Sequence, residues 1–137
     1  MVSFVSLFAA AVAGVAFDIN QMLWQVNEMR SLVGERPLRL NEKLSVACQK
    51  HSEDQARMKR LTHVGSDGSD FPRRVLLNGY NYRKIAENIA YGQRNVTEVM
   101  KTWLKNRETY GLLIDGAYTD FGAGMMDYYW TQNLGRE

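Results

Sequence analysis

Phe121-Gly122-Ala123-Gly124-Met125-Met126-Asp127-Tyr128-Tyr129-Trp130-Thr131-Gln132-Asn133-Leu134 is the stretch on which the fold turns. Apolar and aromatic residues run up to Asp127 and away from it again, which reads as two strands hinged near Asp127, the best hairpin candidate in the chain. Ile85 to Tyr91 is a further apolar run, short enough for a strand or a buried extended segment. Everything upstream of it has a different period.

From Asp18 to Leu32, the residues Ile19, Met22, Leu23, Val26, Met29 and Leu32 recur at three- and four-residue steps, the spacing of one helical face. Asp18 is placed to cap this helix and Gly34 to stop it. Glu35 to Leu40 is an extended connection, because Pro37 removes a donor and biases Arg36 away from helix. Asn41 then caps a second helix with Leu44, Ala47, Cys48, His51, Gln55 and Met58 on one stripe. Gly65 to Asp70 is a turn-rich loop, Phe71 to Leu77 a short helix ended by Asn78-Gly79, and Thr97 to Asn106 a helix with Val99, Met100, Trp103 and Leu104 inward. Helices first, strands last and a helix between them predict an α+β domain with helices packed on a small antiparallel sheet.

The 137 residues suit one domain. Their 45% hydrophobic and 11% aromatic content can build a core. The 17 basic and 15 acidic side chains are interspersed, so no phosphate-tracking surface is expected and nucleic acid is excluded as a partner. Val2 to Ala16 is apolar and uncharged and closes on Gly14-Val15-Ala16, small residues at the −3 and −1 positions of a cleavage site. Residues 1–16 therefore read as a secretory signal peptide and 17–137 as the mature, secreted domain; an uncleaved N-terminal helix is the alternative, since only the amino terminus charges the leading segment. The leader is shorter than the roughly 20 residues that span a bilayer, so no transmembrane anchor is expected. The single cysteine, Cys48, sits on a helical stripe and reads as a small buried hydrophobe. Asn95-Val96-Thr97 is an N-glycosylation sequon, which places Asn95 at the surface.

Only two histidines, His51 and His63, are available for chemistry. His51 lies mid-helix and reads as a packed residue, whereas His63 stands between a helix end and the flexible loop, a better position for a site. Glu87 is the sharper anomaly: Ala86-Glu87-Asn88-Ile89-Ala90 sets an acid inside an apolar segment, where a carboxylate needs a polar cleft or a partner. His63 is a candidate partner, because a carboxylate orients an imidazole. No nucleophile elbow surrounds Ser66 or Ser69. A Cys48–His51 dyad would require an exposed, activated thiolate, which a buried helix position disfavours.

Taken in order, Gln49-Lys50-His51-Ser52-Glu53-Asp54-Gln55-Ala56, Thr62-His63-Val64-Gly65-Ser66-Asp67-Gly68, Gly79-Tyr80, Ala86-Glu87-Asn88-Ile89-Ala90, Val99 to Trp103 and Tyr129 to Gly135 resemble the CAP superfamily of cysteine-rich secretory, antigen 5 and pathogenesis-related 1 proteins, especially its short, disulfide-poor microbial branch. The resemblance runs from about Met22 to Gly135. It implies an α-β-α sandwich with a central antiparallel sheet and a cleft in which two His and two acidic residues can bind a divalent cation. His63 and Glu87 match the first His and the Glu. The second acid would fall at Asn106 and the second His near Thr109, so half of the set is missing; Glu108 is the nearest substitute acid. With one imidazole lost, Zn²⁺ or Mg²⁺ is doubtful and no cofactor is expected.

The resemblance further implies a secreted, non-enzymatic protein that binds a sterol or fatty acid or acts in host–microbe interaction; a monomer is expected. Two alternatives remain. One is a degenerate metal-assisted or protease-like hydrolase using His63 and Glu87, and the other is a module whose Gly65 to Asp70 loop recognises a protein receptor.

Overall fold

The computed structural model describes residues 17–137, so the expected leader lies outside the described residues. Helix α1 (Ile19–Leu32) is followed by a two-residue strand β1 (Arg39–Leu40), the long helix α2 (Glu42–Met58) and a short helix α3 (Phe71–Leu77). Strand β2 (Lys84–Tyr91), helices α4 (Val96–Lys105) and α5 (Arg107–Leu113), and strands β3 (Asp120–Met126) and β4 (Tyr129–Arg136) complete the chain. The sheet order is β1-β3-β4-β2, with β2 and β3 antiparallel to β4 and the short β1 parallel to β3.

The hairpin forms where the sequence predicts it. Asp127 and Tyr128 both adopt positive φ, +49° and +64°, the left-handed pair that joins two twisted strands with two residues. An aromatic residue is uncommon there, and it is held from outside: Gly92 N–H donates to Tyr128 O at 3.0 Å, and the Arg94 guanidinium lies 5.4 Å from the Tyr128 ring centroid.

Alternation along the strands divides the sheet into two faces. Phe121, Ala123, Met125, Trp130 and Leu134 point toward the main core with Met22, Val26, Met100 and Trp103 of α1 and α4. On the opposite face Thr131 meets Ser52 and Gln55, and Asn133 meets Cys48, all from α2. Gly122 and Gly124 allow that helix to lie directly on β3. A Cβ at Gly122 would stand 2.5 Å from the Leu44 carbonyl carbon, and one at Gly124 would stand 2.4 Å from Gln49 N and Cα. Helices on both faces of one sheet make the α-β-α sandwich.

Three local readings are refined. Leu32 is 76% exposed, and the buried residue of the last α1 turn is Arg30, at 1%. Its guanidinium donates to the carbonyls of Arg36, Leu113, Asp115 and Tyr118, acceptors that a leucine would leave unmatched. The connection after α1 contributes β1, and the segment after Lys105 forms α5, with Asn106 as its cap.

Gly124→Ala is expected to destabilise the protein by about 2–3 kcal/mol, because helix and strand backbones must separate. Gly111 meets nothing within 4 Å and lies in α5, so Gly111→Ala should instead stabilise by about 0.5–1 kcal/mol. Urea denaturation midpoints of the two variants check both signs.

Candidate functional site

Glu87 is the centre of the polar face. Its register opposite Asn133 turns the carboxylate toward α2 and α3, where its side chain is 1% exposed. One Arg74 Nη2 donates to both oxygens, at 2.9 Å to Oε1 and 2.7 Å to Oε2. His63 Nδ1 donates to Oε1 at 2.9 Å, and Asn133 Nδ2 donates to Oε2 at 3.3 Å. A carboxylate this deeply buried is tolerated only with such partners.

Arg74 is the residue that the sequence does not single out. In Phe71-Pro72-Arg73-Arg74-Val75 two adjacent arginines look alike as solvated helix charges, and the only signal is that Arg74 lies three residues after Phe71 on a helix capped by Asp70. Besides holding Glu87, its Nη1 donates to His63 O at 2.7 Å and to Ser69 O at 3.1 Å. A single guanidinium therefore ties α3, β2 and both ends of the 63–69 loop together.

His51, read as a packed residue, does pack, and it also borders this centre. Its Nε2 donates to Thr62 O at 2.7 Å and lies 4.0 Å from Glu87 Oε1, while Nδ1 is buried without a partner. Proximity to Glu87 favours a charged ring, but burial, the largest influence, and the Arg74 charge outweigh it and lower the His51 pKa. His51 is therefore neutral at pH 7. His63 differs in exposure: half of its side chain faces solvent, and its ring centroid stands 6.1 Å from that of Phe71.

The alternatives for covalent chemistry find no support in the geometry. Burial, reinforced by the Glu87 charge, pushes the Cys48 thiol well above its ordinary pKa, and Sγ donates to Asn133 Oδ1 at 3.1 Å. Ser66 Oγ donates to Asp54 Oδ1 at 2.7 Å, with the Ser66 amide on Oδ2 at 2.8 Å. Burial raises the Asp54 pKa, but these two bonds and Arg57 more than offset it and hold the carboxyl below its usual value.

Asn106, Glu108 and Thr109 play a different part from the one implied by the resemblance. Asn106 Oδ1 caps α5 by accepting from the Glu108 and Thr109 amides, and Thr109 Oγ1 donates to Trp103 O. None of the three lines the cleft beside Arg74. Asn95 caps α4 through Glu98 N–H and is exposed.

That cleft encloses about 300 Å³ between α2, α3 and the 65–69 loop. Its walls carry Lys50, Arg57 and Arg74 against Asp54 and Asp67, with Ala47 and Leu77 as apolar lining residues. Of the Glu87 cluster, His51 and Arg74 reach it. A divalent cation does not fit the residues present: among the described residues no three His, Cys, Asp or Glu converge on one point, and both Glu87 oxygens already face a guanidinium.

Two outcomes are expected. Arg74→Ala should cost about 3–5 kcal/mol in urea denaturation, because it leaves the Glu87 charge buried without its cation. Stability should also fall as pH drops below 6.5, where the unfolded chain protonates His51 and the folded chain, with its lowered pKa, does not. One such group contributes up to about 1.4 kcal/mol per pH unit. The groups facing His51 are Glu87, Arg74 and Asp54, and His51→Gln should flatten this part of the pH–stability curve.

The sequence model of the cysteine-rich secretory protein family, CAP, matches residues 23–134. An uncharacterized protein of Bacillus subtilis, YkwD, is 29% identical over 111 residues, covering 79% of this chain and 43% of its own length. The chain thus spans less than half of that curated relative. Among solved structures, an extracellular protein containing an SCP domain from Bacillus anthracis superposes with a TM-score of 0.83 at 21% identity, covering 86% of this chain and 40% of the other. An outer surface protein of Borrelia burgdorferi gives 0.79 at 15% identity, covering 87% and 92%. These likenesses support the shared sandwich fold. With the family match extending over residues 23–134, from α1 to β4, the chain belongs to the CAP, or cysteine-rich secretory protein, family.

Proposed function

We propose that this CAP domain is a non-catalytic extracellular binding protein whose cleft takes a fatty acid or a similar amphipathic anion. The observation that carries this reading is Lys50. Its ammonium donates to Asn78 Oδ1 at 3.2 Å and has no carboxylate partner among the described residues, whereas Arg74 is held by Glu87 and Arg57 lies 3.4 Å from Asp54. Leu77, 70% exposed, lines the same cleft. A free cation beside an exposed leucine offers a carboxylate its counter-charge and an alkyl chain an apolar surface. A sterol lacks the carboxylate and would use only part of this lining.

Glu87 itself is not available as a general base, because both of its oxygens already accept hydrogen bonds, from Arg74, His63 and Asn133. An extracellular setting is supported by the apolar leader in the sequence, and no helix among the described residues is long and apolar enough to cross a membrane. Glycan on Asn95 belongs to the same reading, since the residue is exposed at a helix start.

Recognition of a protein receptor by the 65–70 loop is the second reading. The observation favouring it is that the loop is pre-formed. Gly65 N–H donates to Ser69 O at 2.8 Å, and Asp54 holds Ser66 by two bonds.

Titration with fluorescent fatty acid and with fluorescent sterol separates these readings. Saturable fatty-acid uptake, weakened about tenfold or more by Lys50→Ala and exceeding sterol uptake, is expected. Absence of saturable fatty-acid uptake, or uptake indifferent to Lys50, would remove the fatty-acid reading and leave the receptor loop as the surface to pursue.

A further inference from the structure

We propose that Arg74 sets the metal preference of the Glu87 centre: its guanidinium serves as the built-in counter-ion of Glu87 and keeps divalent cations off the Glu87–His63 pair. This inference is independent of which ligand occupies the cleft. It rests on the disagreement between the cation that the family resemblance implies and the arrangement of the residues present.

Without Arg74, the remaining groups are a carboxylate and an imidazole already in contact. Glu87 Oε1 accepts from His63 Nδ1 at 2.9 Å; His51 Nε2 stands 4.0 Å from the same oxygen but already donates to Thr62 O, so Glu87 and His63 are the two donors at hand. Carboxylate oxygen and imidazole nitrogen are the donors that Zn²⁺ takes in proteins. Arg74 interferes in two ways. Nη2 lies within 2.9 Å of both Glu87 oxygens, so it fills the edge of the carboxylate that a cation would approach. Its positive charge, fixed in a side chain only 11% exposed, repels a second cation with little screening. The guanidinium does not lose its proton near neutral pH, so pH change does not lift the block.

The position of Arg74 makes the exclusion robust. Its Nη1 is anchored to His63 O and Ser69 O, so the head group does not swing away from Glu87 without releasing two carbonyls as well. The centre is in this sense charge-complete: one buried carboxylate, one buried guanidinium, one neutral histidine and one half-exposed histidine.

The test is Zn²⁺ binding and thermal unfolding, with Zn²⁺ as the probe, on the wild-type chain, Arg74→Ala, Arg74→Gln and Arg74→Ala/His63→Ala. Arg74→Ala and Arg74→Gln should bind Zn²⁺ at least about tenfold tighter than wild type and gain thermal stability from it, since the metal replaces the missing cation. The double variant should lose that gain. If Arg74→Ala is unfolded without metal, Zn²⁺-induced recovery of its circular dichroism gives the same readout. Two results would overturn the proposal: wild type binding Zn²⁺ as tightly as the variants with dependence on His63, or neither Arg74 variant gaining affinity, stability or structure from Zn²⁺.

Discussion

A carboxylate buried in the polar face of a sheet is the constraint around which this molecule is arranged. Glu87, with its side chain 1% exposed, is sustained by Arg74, His63 and Asn133, and each of those arrives on a different element. Arg74 draws α3 and the 63–69 loop against β2, and Asn133 links the carboxylate to β4 and, through Cys48, to α2. Removing any apolar contact from the opposite face would leave a gap. Removing the guanidinium would leave a buried charge without its cation, a penalty that matches that of the largest core truncations.

The two sheet faces divide the work. The face toward α1 and α4 is an ordinary core with Trp103, Trp130 and Phe121 at its centre. The face toward α2 is polar, and the glycines at 122 and 124 bring the helix close enough for short side chains such as Ser52 and Cys48 to reach the strands. Close approach and polarity are linked here: wide spacing would admit water to these groups, and large apolar residues would prevent their pairing. The cleft opens at the edge of this polar layer, which accounts for the charged groups that share its lining with Ala47 and Leu77.

Much of the architecture was legible in the sequence because it follows local rules. Asp18 and Asn41 cap their helices as read, and the turn after Met126 falls at Asp127 and Tyr128. The anomaly of Glu87 was legible as well, because an acid within an apolar strand needs a partner, and His63 is indeed in contact with it. Arg74 was not, since Arg73 and Arg74 differ only in which way a short helix turns them, and that is decided by packing across the sheet. Arg30 was missed for a related reason: helical periodicity nominates apolar residues, and the carbonyls that call for an arginine come from segments far away in the chain. Asn106 and Thr109 show the converse, where alignment with a family pattern suggested cleft neighbours and the side chains instead satisfy the free amides and carbonyls of a helix junction.

The account depends on the Arg74–Glu87 pair acting as one unit. A double-mutant cycle with Arg74→Met, Glu87→Gln and the combined variant, followed by urea denaturation at pH 7, measures that coupling directly. The structure predicts a favourable interaction of about 2–3 kcal/mol, with the double variant more stable than the sum of the two single losses implies. A coupling within about 0.5 kcal/mol of zero would contradict it, since that is the additivity expected of independent sites.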